Sequence, residues 1–217
     1  ISGSFVRSII SVISSKFKMI DNDFLKAVRE RDYYTFKDTP VLSNIDKKET
    51  DWNWLINFVD THPYKDTRKG NEPKQLRFMQ PKWIGWLLAE CESRPSIPPW
   101  TKKTLNQLQK TFYKNIVTLQ LFGGISNESK SGHIHKDSMD ILYVQGIGKV
   151  NWGIWTTESE KSAGLIPKDC TPVYEELYTP GRACYVPRGM YHSAEPLTSR
   201  CGFSFGIEGD IDPSTYI

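Results

Sequence analysis

At 217 residues, with 38% hydrophobic and 12% aromatic side chains including seven Trp, the chain can build one sizeable core, and an all-β domain of this length commonly stays undivided. A formal charge of only +3 gives no electrostatic argument for nucleic acid, and no apolar run reaches the roughly 20 residues that span a bilayer, so neither partner is expected. The four cysteines, Cys91, Cys170, Cys184 and Cys201, show neither CxxC spacing nor disulfide-scaffold density; they read as reduced, mostly buried thiols of an intracellular protein.

The first twenty residues contain no acid and align Phe5, Ile9, Val12, Ile13 and Phe17 on one helical face. They read as a helix packing on the domain, with a transit-peptide remnant and a membrane-surface helix as the alternatives. Since the chain starts at Ile1, its natural N-terminus is expected to lie upstream. A helix is predicted at 21–34, capped by Asp21 or Asn22, and another at 49–62, where Trp52, Leu55, Ile56 and Val59 recur at helical spacing. QLRFM (75–79) is a short strand candidate. PKWIGWLLAEC (81–91) opens with Pro at a first-turn position and is broadly apolar, which predicts a buried helix. After a Pro-rich break a fourth helix is predicted at 101–114. The basic stretches 65–74 and 102–114 read as solvated faces rather than binding surfaces.

From residue 115 the period changes. In NIVTLQLF (115–122) Val117, Leu119 and Leu121 alternate with Thr118 and Gln120, as in a half-buried strand. A Gly/Ser loop follows at 123–132, then strand candidates at 139–145, 149–155, 172–178, 182–186 and 201–207. The fold class this predicts is mainly β with N-terminal helices, the strands forming a jelly-roll sandwich or barrel. The expected division is a helical region, 1–114, packing on a β core, 115–217, within one structural domain.

Two segments carry the chemistry: HKDSMDILYVQGIGKVNW (135–152) and PGRACYVPRGMYHSAE (180–195). On a strand, residues i and i+2 share a face, so His135 and Asp137 can point together. The Pro187-Arg188-Gly189 turn lets His192 be presented to them. Two imidazoles and one carboxylate on one side of an ion leave three coordination positions open, the 2-His-1-carboxylate pattern of non-haem Fe(II) oxygenases.

The same segments resemble the paired metal motifs of JmjC-type cupin oxygenases, in particular the ribosomal-oxygenase-like branch. The first matches H-x-D, an acid three positions on, an aliphatic run, then Q-x-x-G and a basic residue before an aromatic. The second, extended to 208, is similar to P-G-D-x-L-Y-x-P-R-G-x-x-H-x-A followed by a strand ending in F-G-I. The resemblance covers about residues 115–208. It implies a double-stranded β-helix on which His135, Asp137 and His192 hold Fe(II), with 2-oxoglutarate as co-substrate. The implied reaction is hydroxylation of a C–H bond, with a protein or peptide side chain as the substrate.

The chain departs from that pattern at Val150, where relatives place a Lys or Arg for the distal carboxylate of 2-oxoglutarate. Lys149 is the first replacement and Arg200 the second; Tyr143, Thr118 and Gln120 are further candidates for contact with the co-substrate. Arg182 stands where Asp is usual, at a turn. A rival ligand set is His133, His135, Asp140 and His192, because HIHKDSMD also fits a cupin H-x-H followed by an acid. That set would serve a metallo-cupin acting on a small molecule without 2-oxoglutarate. A catalytically silent cupin that acts as a binding module is the third reading, supported by Val150. Relatives continue into a dimerisation and winged-helix region after the point where this sequence stops, so a dimer of that kind is not expected. A cytoplasmic location is expected, with organellar import left open by the acid-poor N-terminus.

Overall fold

In the computed structural model, residues 20–36, 50–61, 85–88, 91–129, 134–156 and 170–212 are described, the stretch 85–88 by its backbone. Helix α1 (Asn22–Glu30) starts where the Asp21 carboxylate accepts the Phe24 N–H at 2.7 Å, and it buries Phe24, Ala27 and Val28 at helical spacing. It ends at Arg31, whose φ of 57° is left-handed, a conformation that costs a non-glycine residue about 1–2 kcal/mol. The chain then turns into strand β1 (Tyr34–Phe36) rather than continuing as helix to residue 34. Helix α2 (Trp52–Thr61) is capped by Asp51 and buries Leu55 and Phe58. Helix α3 (Pro99–Thr111) begins with Pro, which needs no N–H partner there, and buries Trp100, Leu105 and Leu108. No helix among the described residues is long and apolar enough to cross a membrane.

The buried helix expected at 81–91 is instead a strand in its described part, β2 (Gly85–Leu88), paired antiparallel with β3 (Ile116–Gly124). A short apolar run has no period to tell helix from strand, and here the edge of β3 supplies its hydrogen-bond partners. The segments 1–19 and 75–79, with the helix and strand predicted on them, lie outside the described residues.

The remaining strands are β4 (Asp140–Ile147), β5 (Val150–Trp155), β6 (Tyr174–Tyr178), β7 (Ala183–Val186), β8 (Tyr191–Pro196) and β9 (Arg200–Glu208). They form two antiparallel sheets, six-stranded β1-β7-β4-β9-β3-β2 and three-stranded β6-β5-β8. The major sheet has an apolar layer on each face. Leu119, Leu121, Leu142, Val144, Phe203 and Phe205 pack with the helices on the outside. Ile141 and Tyr143 point the other way, toward Val150, Trp152, Ile154 and Tyr178 between the sheets. Strand β4 is therefore buried along its whole length while alternating between two cores. The result is a mainly β jelly-roll with N-terminal helices, as predicted, but strands from the N-terminal region extend both edges of its major sheet. None of the four cysteines is disulfide-bonded, and all but Cys170 are buried.

Candidate metal centre and its cavity

The metal motifs meet where the segment before β4 runs beside the start of β8. His135 and His192 form an isolated antiparallel bridge, N–H to carbonyl in both directions at 3.1 and 2.9 Å. This pairing brings the two rings side by side, with centroids 4.4 Å apart. Asp137 is held by its backbone: Gly189, at φ 80°, donates its N–H to the Asp137 carbonyl at 3.0 Å. The Asp137 carboxylate then reaches both imidazoles, 3.7 Å from His135 Nε2 and 3.3 Å from His192 Nε2. One ligand atom from each residue lies within 4.8 Å of the others, the one such cluster among the described residues.

The electrostatics suit a cation. Burial alone would raise the Asp137 carboxyl, but the hydrogen bond from His192 and the charges of His192 and His135 outweigh it and hold the group below its ordinary value. His192 Nδ1 lies 3.1 Å from the Met190 carbonyl, so as a donor to that oxygen it leaves Nε2, the nitrogen that faces Asp137, as the ring atom available to an ion. His192 is 3% exposed, whereas His135 is at the mouth. Two imidazole nitrogens and one ionised carboxylate converging beside a cavity fit a divalent iron site that keeps open positions.

The cavity, of about 60 Å³, is walled by both sheets and is well above the ~10–15 Å³ that holds one water. Asp137, Met139, Ile141 and Tyr143 line it at i, i+2 spacing along one side, with Gln120 and Phe122 from β3 and Arg200 and Ser204 from β9. Trp152 and Ala194 close the minor-sheet side. The Trp152 ring stacks on Tyr143 at 4.2 Å and lies near-parallel to His192 at 5.7 Å, so it spans from the metal end to the inner end. Arg200 is fully buried there, donating to the Ser129 carbonyl at 3.3 Å. The neighbouring Tyr143 phenol donates to Gln145 at 2.5 Å. Burial pushes that phenol's pKa up, Arg200 only partly offsets it, and Tyr143 stays a neutral donor.

Other expected contacts fall elsewhere. Lys149, ranked first for the co-substrate carboxylate, is exposed in the β4–β5 turn and is not among the lining residues. Gly148, at φ 76°, turns the chain so that Lys149 faces out and Val150 faces in, fully buried between the sheets. Thr118 shares the inward face of β3 but sits over Gly206 beside Met139, outside the cavity wall. Asp140, of the rival ligand set, has the opposite parity to Asp137; it is 1% exposed and bound 2.8 Å from Arg31 Nη1 and 2.6 Å from the Arg188 N–H. His133 lies outside the described residues. Sequence reasoning missed Met139, Ile141, Phe122, Trp152, Ala194 and Ser204 as wall residues. Counting every second residue from Asp137 and from Gln120 would have found the first three.

A JmjC domain family model matches residues 101–211, just over half of the chain. A bifunctional lysine-specific demethylase and histidyl-hydroxylase NO66 from Drosophila willistoni is 25% identical over 147 residues, 63% of this chain and 19% of that protein. An X-ray structure of E. coli YcfD superposes with a TM-score of 0.63 at 15% identity, covering 88% of this chain and 54% of that one. A second, of the Escherichia coli ribosomal oxygenase YcfD with cobalt and 2-oxoglutarate, gives 0.58 at 15% identity over 83% of this chain and 49% of that one. This sequence thus spans about half of the YcfD chains and a smaller share of NO66, and at such identity the superposition speaks for the fold. Together with the matched segment, which contains both metal motifs, these findings place the chain in the JmjC domain family.

Proposed function

We propose that the protein is an Fe(II)- and 2-oxoglutarate-dependent oxygenase that hydroxylates a C–H bond of a protein side chain. The observation that carries this reading is a single cavity with a 2-His-1-carboxylate cluster at its mouth and a fully buried arginine at its inner end. His135, Asp137 and His192 would hold the iron. When bound, iron and 2-oxoglutarate together supply the oxidising chemistry, dioxygen and 2-oxoglutarate being converted to succinate and carbon dioxide as one oxygen atom enters the substrate. The chain's own share is binding and exclusion. Arg200 offers the positive charge that a buried distal carboxylate requires, and the neutral Tyr143 phenol stands beside it. Trp152, Phe122 and Met139 supply apolar wall that keeps water from the reacting end.

Arg200 also answers the objection raised by Val150. A buried cation that lines the cavity beside Tyr143 and Trp152 stands on β9, which weakens the support that Val150 lends to a silent cupin. A protein substrate is favoured by the relatives, one named a histidyl-hydroxylase and the other a ribosomal oxygenase. The test measures succinate formed from 2-oxoglutarate by the Fe(II)-loaded protein. Arg200→Met is expected to raise the 2-oxoglutarate requirement at least about tenfold, the loss of one charge-assisted contact, and Lys149→Ala to leave it unchanged. No 2-oxoglutarate turnover and no binding by the metal-loaded protein would shift the reading to the small-molecule cupin. A one-oxygen mass increase on peptides would establish the substrate class.

A further inference from the structure

The acid that follows Asp137 by three residues is not placed as a ligand, yet Asp140 is among the most buried charged side chains described, at 1% exposure. Its two oxygens hold two segments far apart in sequence. Oδ2 lies 2.8 Å from Arg31 Nη1, just past the end of α1. Oδ1 accepts the Arg188 backbone N–H at 2.6 Å, in the turn that leads to His192.

That turn touches the metal cluster from both sides. The Gly189 N–H holds the Asp137 carbonyl at 3.0 Å, and the Met190 carbonyl lies 3.1 Å from His192 Nδ1. The Arg188 amide immediately precedes both contacts. Shifting it would move the backbone of the carboxylate ligand and the oxygen that fixes the His192 ring together.

Arg31 gives the second observation. It is the one non-glycine residue with positive φ among the described residues, at 57°, in the position after a helix where Gly or Asn is usual. Glycine would suit that backbone better. A strained position occupied by a long cationic side chain points to a use for the side chain, and the side chain ends on Asp140.

We propose that Arg31 and Asp140 are positioning residues for the metal centre: through the Asp140 carboxylate, the end of α1 clamps the 187–190 turn that orients Asp137 and His192. This rests on the reading of His135, Asp137 and His192 as metal ligands, and the experiment separates the two. The full chain is titrated with Co(II), read by its visible absorption, well below the melting temperature, with folding confirmed by circular dichroism. Arg31→Gly removes the side chain without straining the backbone, and a drop in Co(II) affinity of about tenfold is expected, the lower end for losing an outer partner of a metal ligand. Arg31→Lys is expected to restore part of the loss, and Asp140→Asn to bind at least as weakly as Arg31→Gly. An ion pair that only stabilises the fold would move the melting temperature and leave the affinity unchanged. Unchanged affinity in folded Arg31→Gly overturns the proposal, even if Asp140→Asn fails to fold. Wild-type protein that binds no Co(II), or binding indifferent to His192→Ala, overturns the ligand reading and the clamp with it.

Discussion

Asp137 is a carboxylate between two imidazoles, and its charge is decided by the contest between burial and those rings. The rings prevail, so the folded-state pKa lies below the ordinary 3.8. Stability linked to Asp137 is therefore fully present above the unfolded value of 3.8 and is lost as the pH falls through the lowered folded value. In metal-free protein, Asp137→Asn is expected to flatten this acid-side loss. Denaturant unfolding of both proteins between about pH 2 and 5 checks it, and parallel curves would show that the imidazoles do not hold the carboxylate below its ordinary value. Val150 and Arg200 make a different point. A cation is tolerated in a closed apolar layer only with polar company, and Arg200 has the Ser129 carbonyl and the Tyr143 phenol beside it. At 150 the neighbours are Tyr178 and Pro196 across the strands, and an aliphatic side chain fits that layer.

At the scale of single elements, β4 shows what the sequence can reveal and where it stops. Period-two counting from Asp137 places Tyr143 in the cavity because no irregularity intervenes before Gln145; the register shifts only between Gln145 and Ile147. Beyond that irregularity, parity counted from His135 no longer holds, and Gly148 then decides which of Lys149 and Val150 faces in. The outward placement of Lys149 is thus a property of a turn, not of the strand pattern. Strands β1, β2 and β8 were illegible for other reasons. Three or four residues carry no period, and in β8 Glu195 and Pro196 disguise a strand whose register comes from β5. The His135–Asp137–His192 cluster was legible in its side-chain chemistry, in the i, i+2 spacing of its first two members and in the paired motifs that carry all three. Two glycines on opposite faces of the major sheet test the two-core arrangement. A Cβ on Gly202 would meet the Tyr143 hydroxyl at 2.3 Å, and one on Gly146 would meet the Phe203 ring at 2.4 Å. Both rings are locked by stacking, Tyr143 on Trp152 and Phe203 on Trp54, so neither can yield freely. Gly202→Ala and Gly146→Ala are each expected to destabilise the fold by about 1–3 kcal/mol. Only Gly202→Ala is expected also to weaken 2-oxoglutarate binding, measured by calorimetry on Mn-loaded protein, because only its clash lies on the cavity side.

Across the whole molecule, the three candidate ligands belong to both layers of the sandwich. Asp137 leads into β4 of the major sheet, while His192 is in β8 of the minor sheet, with His135 bridging to it. An ion bound there would tie the sheets together at the open end of the barrel, adding to the His135–His192 backbone pair, the Gly189 N–H on the Asp137 carbonyl and the Arg188 N–H on Asp140. The unfolded chain has no such preformed cluster, so metal affinity becomes folding free energy. At about 100 times its dissociation constant a divalent ion contributes about 2.7 kcal/mol, which for a domain of this size is a melting rise of about 5–10 °C. Chelation is expected to reverse the rise in wild type and to do nothing in His192→Ala. The location of the effect matters as much as its size. Hydrogen exchange of the metal-loaded protein is expected to slow most at 134–137 and 188–193, and much less in the α1 and α3 helices, whose cores lie on the far face of the major sheet. Uniform slowing across the helices and both sheets would mean that the ion stabilises the fold globally without joining its two layers at this end.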